Sequence, residues 1–381
     1  MSLVGADRVP RGDRAARLAW ARLVEPGDPE SARLVAAVGA EAALHGIDPA
    51  SSLGQQVAPR LADLDVERDV RIAASLGARL VVPDDDEWPP GLDVLTNPPF
   101  CLWVRGPLHL AEACERSVGV VGARAASGYG LHQAKELAAG LAERGYTIVS
   151  GAAYGIDGAA HEGALAVDGR TIAVVAGGVD RPYPAGHAGL LARVAESGAV
   201  LSEVPPGSSP TRWRFLSRNR MIATMSRGTV VVEAGLRSGS RNTARTAADH
   251  HRVVCAVPGP VSSAVSAGCH LLIREGAQLV TDAAEVVEAV GPIGELAPVK
   301  RGGVLPEDDL EPIHRAVLSA LRVQSATSVG ALAKQCGASL RDVMGALGVL
   351  GVNDLVVQDG DGYRRVRRRP SDQPASQRSP A

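Results

Sequence analysis

The stretch SVGVVGARAASGYG, residues 117–130, decides the fold that we expect of this chain. Residues 117–121 form an almost continuously apolar run, which is typical of a strand buried on both faces of a parallel sheet. Gly122 ends this run, and a helix is predicted soon after it. A strand, a glycine turn and a helix form the repeating unit of doubly wound α/β folds, whose turns approach the ligand.

The same alternation of apolar strands and amphipathic helices continues to about residue 290. Further strands are predicted at 147–150, 171–176, 199–202, 229–233 and 253–257, with 278–280 as a candidate seventh. Helices are predicted near 127–143, 154–167, 187–196, 217–225, 240–249 and 266–274. Strands that alternate with helices form a parallel sheet covered on both faces. The sequence therefore predicts a Rossmann-like, doubly wound α/β domain over residues 81–290.

The segments before this sheet are predicted to be helical and then extended. Leucine, valine and alanine at helical spacing indicate a helical N-terminal domain over 1–80, with helices at 12–25, 30–46 and 65–77. The high proline content of 83–107 is incompatible with helix and predicts a connector with a short strand at 100–104.

The segments after the sheet are predicted to form a second, smaller domain. A linker rich in glycine and proline at 291–307 leads to three helices and a hairpin at 308–366, the order of a winged helix-turn-helix. The tail at 367–381 is poor in apolar residues and is predicted to be disordered.

The composition predicts a cytoplasmic protein with no metal or other cofactor. The chain has 381 residues and a formal net charge of −2. No apolar run reaches the roughly 18 residues of a membrane span, and the N-terminus lacks the apolar core of a secretory signal. The five cysteines are scattered without Cys-x-x-Cys spacing, which indicates unpaired thiols in a reducing compartment.

Four glycine-rich loops are predicted to meet at one edge of the sheet, because the carboxyl ends of parallel strands share an edge. The loops lie at 122–130, 150–157, 176–180 and 233–240. The first is not Gly-x-Gly-x-x-Gly, and no acidic residue closes the second strand, which disfavours a dinucleotide-dependent dehydrogenase. We favour a site for phosphate or a nucleotide backbone over a set of plain turns.

Residues 208–252 concentrate positive charge in a nearly neutral chain. They contain nine arginines against two acids, Glu233 and Asp249, and they place Trp213 and Phe215 among the arginines. Arginine binds phosphate through two parallel hydrogen bonds, and aromatic rings between arginines are typical of grooves that hold single-stranded nucleic acid. A surface helix laced with ion pairs would have the same composition, so both interpretations stay open on charge alone.

Candidate catalytic residues are few. No serine lies in a Gly-x-Ser-x-Gly turn, and Asp157 and His161 are one helical turn apart, which indicates a local pair more than a relay. Glu203 and Glu233 end strands, where a carboxylate can act as an acid or base or can equally hold an arginine from 212–220.

Several of these pieces together resemble the DNA-processing protein A family (DprA/Smf). The most specific are SGAAYGIDGAAHEGAL at 150–165, FLSRNRMIA at 215–223 and VVVEAGLRSGSRNTA at 230–244. The resemblance implies a non-enzymatic protein that binds single-stranded DNA during natural transformation, protects it and loads the RecA recombinase. It also implies an indirect role for single-strand binding protein, and a homodimer without a cofactor.

Carried over by position, the resemblance implies that Arg124 receives a phosphate and that Phe215 contacts a base. With the glycine loops, it gives these candidate DNA-binding residues: Gly122, Arg124, Ser127, Gly151, Gly155, Gly177, Gly178, Arg212, Phe215, Arg218, Asn219, Arg220, Ser238 and Gly239.

Two other functions compete with this one. A nucleotide phosphoribohydrolase-like enzyme of related fold would carry a Pro-Gly-Gly-x-Gly-Thr-x-x-Glu loop, but residues 237–243 lack the closing glutamate. A transcription factor would need a basic recognition helix, and the third helix of the predicted winged domain has one arginine, Arg341, beside Asp342.

Overall fold

The computed structural model describes residues 11–292, 294–298 and 310–366. The chain divides into two compact units, residues 1–298 and residues 299–381. Within the described residues, no helix is both long and apolar enough to cross a membrane.

Five short helices open the first unit and pack around the buried ring of Trp20. They are α1 (Asp13–Leu23), α2 (Pro29–Val38), α3 (Ala40–His45), α4 (Ser52–Leu61) and α5 (Val66–Ser75). The single helix predicted at 30–46 is wrong, because Gly39 adopts a φ of 84° and separates α2 from α3. The sequence analysis also missed α4, which Ser51 begins by accepting a hydrogen bond from the amide of Gly54.

A nine-stranded sheet forms the centre of this unit. Its strands are β1 (Ala78–Val81), β2 (Leu102–Arg105), β3 (Ser117–Val121), β4 (Thr147–Ser150), β5 (Thr171–Val174), β6 (Ala199–Ser202), β7 (Gly228–Val231), β8 (Val253–Ala256) and β9 (Gln278–Leu279). The spatial order is β1-β2-β6-β5-β4-β3-β7-β8-β9. From β6 to β9 in this order all neighbouring strands are parallel. At the β1 end of the sheet, β1 and β2 form an antiparallel edge. The sequence analysis had missed β1.

Helices cover both faces of the sheet, and this confirms the predicted Rossmann-like α/β class. They are α6 (Leu110–Glu115), α7 (Gly128–Glu143), α8 (Ile156–Ala166), α9 (Ala188–Ser197), α10 (Arg212–Met225), α11 (Gly239–Asp249), α12 (Ala267–Arg274) and α13 (Ala283–Val290). Val118 and Val120 of β3 belong to the core beneath α7 and α8, and Val121 belongs to the core beneath α10 and α11. Because both faces of β3 are buried, its sequence is continuously apolar.

Strand β3 is the point at which the order of the sheet reverses. The chain continues from β3 to β4, β5 and β6 on one side, then crosses to β7, β8 and β9 on the other. In open α/β sheets a crevice forms at this point, outside the carboxyl ends of the strands. The loops after β3, β4 and β7 meet there, as the glycine-rich segments predicted.

Helix α10 begins five residues earlier than predicted, at Arg212 in place of residue 217. Thr211 caps it, since its hydroxyl accepts a hydrogen bond from the amide of Arg214 at 3.2 Å. Arg212, Arg214 and both aromatic residues of the segment, which the prediction left outside the helix, are therefore helical, and the helix fixes their positions.

The second unit has its own apolar core, which includes Val317, Leu332, Val343 and Leu350. Its elements are α14 (Pro312–Ala320), β10 (Thr327–Ser328), α15 (Val329–Cys336), α16 (Leu340–Val352), β11 (Val356–Asp359) and β12 (Gly362–Arg365). The three strands form one antiparallel sheet in the order β10-β12-β11. The winged-helix assignment stays a prediction; the tail at 367–381 and most of the linker at 291–307 lie outside the described residues.

His161 of α8 is buried beneath the sheet with only one ring nitrogen satisfied. Its Nδ1 lies 2.7 Å from the hydroxyl of Thr171, and that hydroxyl donates its single hydrogen to the carbonyl of Ile148 at 2.9 Å. Nδ1 must therefore be the donor, and Nε2 is left without a hydrogen-bond partner. Burial, aided by the charges of His187 and Arg218, lowers the pKa of His161 to about 3.

This neutral histidine predicts acid sensitivity. In the unfolded chain an imidazole titrates near 6.5, so below that pH the unfolded state binds one proton more and stability is lost as pH falls toward about 3. The full slope is about 1.4 kcal/mol per pH unit. We expect His161→Gln to reduce the slope of unfolding free energy between pH 6 and pH 4, measured by urea denaturation, by up to that amount.

The exposed His132 supplies the matched control. His132→Gln should leave the slope unchanged. If His161→Gln keeps the wild-type slope, His161 does not carry the acid sensitivity.

Candidate nucleic-acid interface

A cavity of about 730 Å³ opens at the carboxyl edge of the sheet, beside β3 and β7. The loops after β3, β4, β5, β6 and β7 contribute to its wall, together with α10 and α11. Its lining residues include Gly122, Arg124, Ala153, Asp157, Tyr183, Arg212, Phe215, Arg218, Asn219, Arg237, Ser238 and Gly239. Asp157 is the only acidic residue among those that line it, so the wall is positively charged.

Asp157 connects the loops around this cavity. It stands in the first turn of α8, and its buried carboxylate accepts a hydrogen bond from the backbone amide of Gly151 and is stabilised by the nearby amides of Gly122 and Ala153. Its Oδ2 lies 3.2 Å from the Gly151 nitrogen. Burial raises the pKa of Asp157, against the lowering effect of the nearby Arg218 charge and of these amides. Loop amides that the sequence analysis expected to face an external anion are therefore already occupied by an internal one.

Arg218 lies opposite this carboxylate at the floor of the cavity. Only 4% of the residue is exposed, and its Nη1 donates to the carbonyl of Val174 at 2.6 Å. Burial lowers the pKa of Arg218 to about 10, and the charge of Asp157 opposes that shift. A Cβ on Gly151 would lie 1.6 Å from the guanidinium. A side chain at position 151 would therefore have to displace the buried guanidinium of Arg218.

The two strand-end carboxylates have structural partners. Glu203 accepts a hydrogen bond from Nη2 of Arg220 at 2.7 Å, and both side chains are buried, which matches the expectation that such a carboxylate holds an arginine of 212–220. Glu233 instead accepts from the amide and the hydroxyl of Ser127, at 2.9 and 2.5 Å. Ser127 also caps α7, accepting from the Gly130 amide at 3.1 Å. Arg220 and Ser127 therefore point away from the cavity.

Three arginines at the rim of the cavity have no ion pair or hydrogen bond with any described residue: Arg124, Arg212 and Arg237. Most other arginines of 208–252 are held by acids, and the pairs are Arg214–Glu25, Arg220–Glu203, Arg241–Glu275 and Arg245–Asp249. Arg227 and Arg252 reach backbone carbonyls. Ion pairs thus hold one set of these arginines and the cavity gathers another, so both interpretations of the charged stretch stay predictions.

Phe215 is half-buried in the cavity wall and surrounded by cationic and aromatic groups. The guanidinium of Arg124 lies 4.8 Å from its ring centroid, and that of Arg218 lies 6.0 Å away. The ring of Tyr183 is tilted against it at 5.5 Å between centroids. Tyr183 and Arg237 were missed as site residues by the sequence analysis, although Arg237 lies in the predicted 233–240 loop and Tyr183 follows the 176–180 loop.

Helix α10 has a second face that contacts the N-terminal helices. Trp213 donates its indole nitrogen to the carbonyl of Pro26 at 3.3 Å, and Ser217 donates its hydroxyl to the same carbonyl at 2.9 Å. Arg214 makes two hydrogen bonds to Glu25, at 2.9 and 3.0 Å. Trp213 is therefore not part of the cavity wall, although its position between arginines suggested this.

The predicted DNA-binding residues separate into two groups. The structure brings eight of them to the cavity: Gly122, Arg124, Arg212, Phe215, Arg218, Asn219, Ser238 and Gly239. The other six do not line it: Ser127, Gly151, Gly155, Gly177, Gly178 and Arg220. Gly155 begins α8 with a φ of 79°, and a Cβ there would lie 2.2 Å from the carbonyl oxygen of Ala123. Gly177 and Gly178 pack against the segment 205–210.

The buried pair at the cavity floor predicts a large loss of stability for Asp157→Asn. The variant removes the nearby carboxylate charge that favours the buried Arg218 cation, and the loss of such a counter-charge typically costs about 3 kcal/mol or more. Urea denaturation should show this loss, whereas Asp168→Asn, at an exposed position, should change the unfolding free energy little. Adding Arg218→Met to Asp157→Asn should recover part of the loss. Wild-type stability of Asp157→Asn alone would contradict the role of the pair.

Comparisons with known proteins agree with this architecture. The family model described as DNA recombination-mediator protein A matches residues 79–291. A DprA-named protein of Mycobacterium tuberculosis is 44% identical over 375 residues, which cover 94% of this chain and 96% of that relative. The DNA processing protein DprA of Streptococcus pneumoniae is 42% identical over 203 residues, covering 53% and 71%.

A solved structure is similar as well. The X-ray structure of DNA processing protein A from Streptococcus pneumoniae aligns with a TM-score of 0.60 at 32% identity, over 71% of this chain and 95% of that one. The family match covers more than half of the chain, and the mycobacterial relative extends over nearly all of it. This chain therefore belongs to the DNA recombination-mediator protein A family.

Proposed function

We propose that this protein binds single-stranded DNA in the cavity beside β3, without strong sequence preference, and serves recombination without chemistry of its own. One observation carries the proposal. Among the described residues, Arg124, Arg212 and Arg237 have no ion pair and no hydrogen bond, and they line an open cavity together with the Phe215 and Tyr183 rings. The family description and the DNA-processing names of the relatives support DNA as the ligand.

In this arrangement, different side chains bind the backbone and the bases of the strand. The rim arginines bind phosphates, which positions a strand but reads no sequence. Phe215 and Tyr183 offer ring faces on which a base can stack. Arg124 covers one side of the Phe215 ring, so an incoming base displaces that contact and releases the guanidinium for a phosphate. Asp157 and Arg218 keep the floor of the cavity rigid during this exchange.

The concave shape favours a single strand over a duplex. The aromatic residues lie inside the cavity wall, with loops from five strands around them. A paired base cannot leave its stack to reach them without the cost of unpairing, whereas an unpaired base can. Phosphate contacts alone would not make this distinction, because a duplex presents phosphates too.

The cavity offers no assembled acid, base and nucleophile among its described residues. Its one carboxylate, Asp157, already accepts a hydrogen bond from the Gly151 amide and interacts electrostatically with Arg218. His161 is neutral, buried and bonded to Thr171. Glu233, the carboxylate nearest in sequence to the 237–243 loop, is bonded to Ser127. These contacts support a binding function over the phosphoribohydrolase-like alternative.

The proposal extends to partners. A protein that holds a strand by its backbone leaves the bases available for hand-over. We propose that it acts as a homodimer in natural transformation, protects incoming single-stranded DNA and loads RecA onto DNA covered by single-strand binding protein. The recombination-mediator description of the family supports this role.

The first test measures binding to labelled oligothymidylate across a salt series by fluorescence anisotropy. Arg124→Ala should weaken binding and reduce the dependence of log K on log salt by about 0.7, the value for one lost phosphate contact on a single strand. Phe215→Ala should cost about 1–3 kcal/mol of binding free energy and leave the salt slope unchanged.

The controls separate binding from folding. Arg193→Ala removes an exposed arginine of α9 that does not line the cavity and should bind as the wild type does. Thermal unfolding of each variant shows whether a loss of binding follows from a loss of structure. Equal affinity for duplex and single strand, or an affinity independent of salt, would contradict the proposal.

The second test concerns RecA. In strand exchange with DNA coated beforehand by single-strand binding protein, the wild-type protein should shorten the lag before RecA filaments form. Arg124→Ala should lose this effect in parallel with DNA binding, and Arg193→Ala should keep it. If the wild-type protein leaves the lag unchanged while RecA from the same organism is active, the mediator role is wrong.

A further inference from the structure

Trp213 is the most exposed aromatic residue in the described part of the chain. The residue is 58% exposed, whereas Trp20, Trp88 and Trp103 are at most 6% exposed. Tryptophan is highly buried on average in folded proteins, and it is enriched where a surface contacts a ligand or partner. An indole that faces solvent at the start of α10 is therefore a feature that packing within the protein does not explain.

Hydrogen bonds to one carbonyl group hold this ring in place. The indole nitrogen of Trp213 donates to the carbonyl oxygen of Pro26 at 3.3 Å, and the hydroxyl of Ser217 donates to the same oxygen at 2.9 Å. Ser217 follows Trp213 by four residues, so both side chains lie on one side of α10. The ring is thus fixed through its nitrogen while much of its surface stays accessible. A side chain that is already ordered loses little conformational entropy when a ligand binds.

Leu216 connects Trp213 with the cavity. It lines the cavity, is itself exposed, and follows Trp213 by three residues, so the two side chains are neighbours on the helix surface. Arg212, which precedes Trp213, also lines the cavity. Phe215 lies nearly on the opposite side of the helix from Trp213, since two residues correspond to about 200° of rotation. A base stacked on Trp213 is therefore a different base from one stacked on Phe215.

The surface next to Trp213 carries net positive charge. Glu25 accepts hydrogen bonds from Arg214 at 2.9 and 3.0 Å and from Arg60 at 2.8 Å. Two arginines against one glutamate leave this cluster with a net charge of +1. Arg212 adds a positive charge that has no ion pair or hydrogen bond among the described residues. The phosphates of a strand that passes from the cavity to Trp213 would therefore meet a cationic surface.

We propose that Trp213 is a second stacking platform for single-stranded DNA, which binds a base of the strand where it leaves the cavity over Leu216. The inference rests on the proposed function, because the strand must first occupy the cavity. Every base has a ring face that can stack on an indole, so the platform lengthens the binding site without adding sequence preference. A base inside a duplex is already stacked and paired, and it cannot reach the platform without the cost of leaving the duplex.

Intrinsic fluorescence tests the platform directly, because Trp213 is the one exposed tryptophan of the four in the chain. Oligothymidylate of about twenty nucleotides, longer than one compact single-strand site, should quench the emission as it binds. It should also protect the remaining emission from acrylamide, since a stacked base shields the ring. An abasic oligonucleotide of the same length supplies phosphates without bases and should leave the emission unchanged. Trp213→Phe should bind oligothymidylate without any fluorescence response.

A matched pair of substitutions measures the contribution of the ring to affinity. Trp213→Leu and Trp213→Phe both remove the hydrogen bond to Pro26 and keep an apolar side chain, but only phenylalanine keeps an aromatic face. Trp213→Leu should weaken binding of oligothymidylate about fivefold or more, the loss of one stacked base. Its salt slope should equal that of the wild type, because no phosphate contact is lost. Trp213→Phe should keep most of the affinity.

The remaining outcomes overturn the platform. They are wild-type affinity of Trp213→Leu, equal losses for Trp213→Leu and Trp213→Phe, and an emission that does not respond while anisotropy shows that oligothymidylate binds. A change in the sedimentation of Trp213→Leu with unchanged DNA binding would show that the ring contacts protein, and this too overturns it. If Trp213→Leu does not fold, the fluorescence of the wild type and of Trp213→Phe decides.

Failure of the proposed function has a different signature. In that case the wild-type protein does not bind oligothymidylate, or Arg124→Ala and Phe215→Ala bind it as tightly as the wild type does. The platform alone fails when both of these variants lose affinity and Trp213→Leu does not.

Discussion

The electrostatic interaction of the buried Asp157 carboxylate with the loop amides after β3 and β4 and with the Arg218 charge is the constraint on which the rest of the site depends. It joins the loop after β3, the loop after β4, the start of α8 and the middle of α10. Arg218 also reaches the carbonyl of Val174 in β5. A buried charge is stable only when paired and hydrogen-bonded, so these four elements hold one another in place. The absence of a side chain at Gly151 is part of the same constraint.

Helix α10 connects this floor to the rest of the first unit. One side of the helix carries Phe215 and Asn219 into the cavity, and the other side is fixed to the turn at Glu25 and Pro26. The N-terminal segment thus supports α10 on the side away from the cavity. Rigid support beneath a charged rim lowers the entropic cost of ordering side chains when a ligand binds.

The glycine-rich loops have a different role from the one that their sequence suggested. The Gly151 amide binds the internal carboxylate of Asp157, so under the proposed function the arginine side chains at the rim bind the external anion. The protein thereby uses the geometry of a phosphate-binding turn to build a fixed wall. The rim arginines have no hydrogen bond or ion pair among the described residues, and their charge suits the proposed ligand with many phosphates.

The sequence by itself determined the class of fold and the place of the site. Apolar runs and glycine turns predicted all seven parallel strands closely, the last of them as a candidate. Strands buried on both faces must be apolar throughout, and this made the central ones easy to recognise. It also predicted the edge at which the loops meet. It could not reveal β1, whose partly exposed residues lack that pattern, or the break at Gly39.

Only the tertiary structure decided which arginines line the cavity. Along 208–252 the residues Arg212, Arg214, Arg218 and Arg220 have the same chemistry and lie within three helical turns. Their partners, Glu25, Asp157 and Glu203, come from distant parts of the chain. Whether an arginine is paired depends on which carboxylate the fold brings to it, because charge pairing acts through space. The sequence therefore determined how many arginines this segment contains, and packing determined which of them are paired.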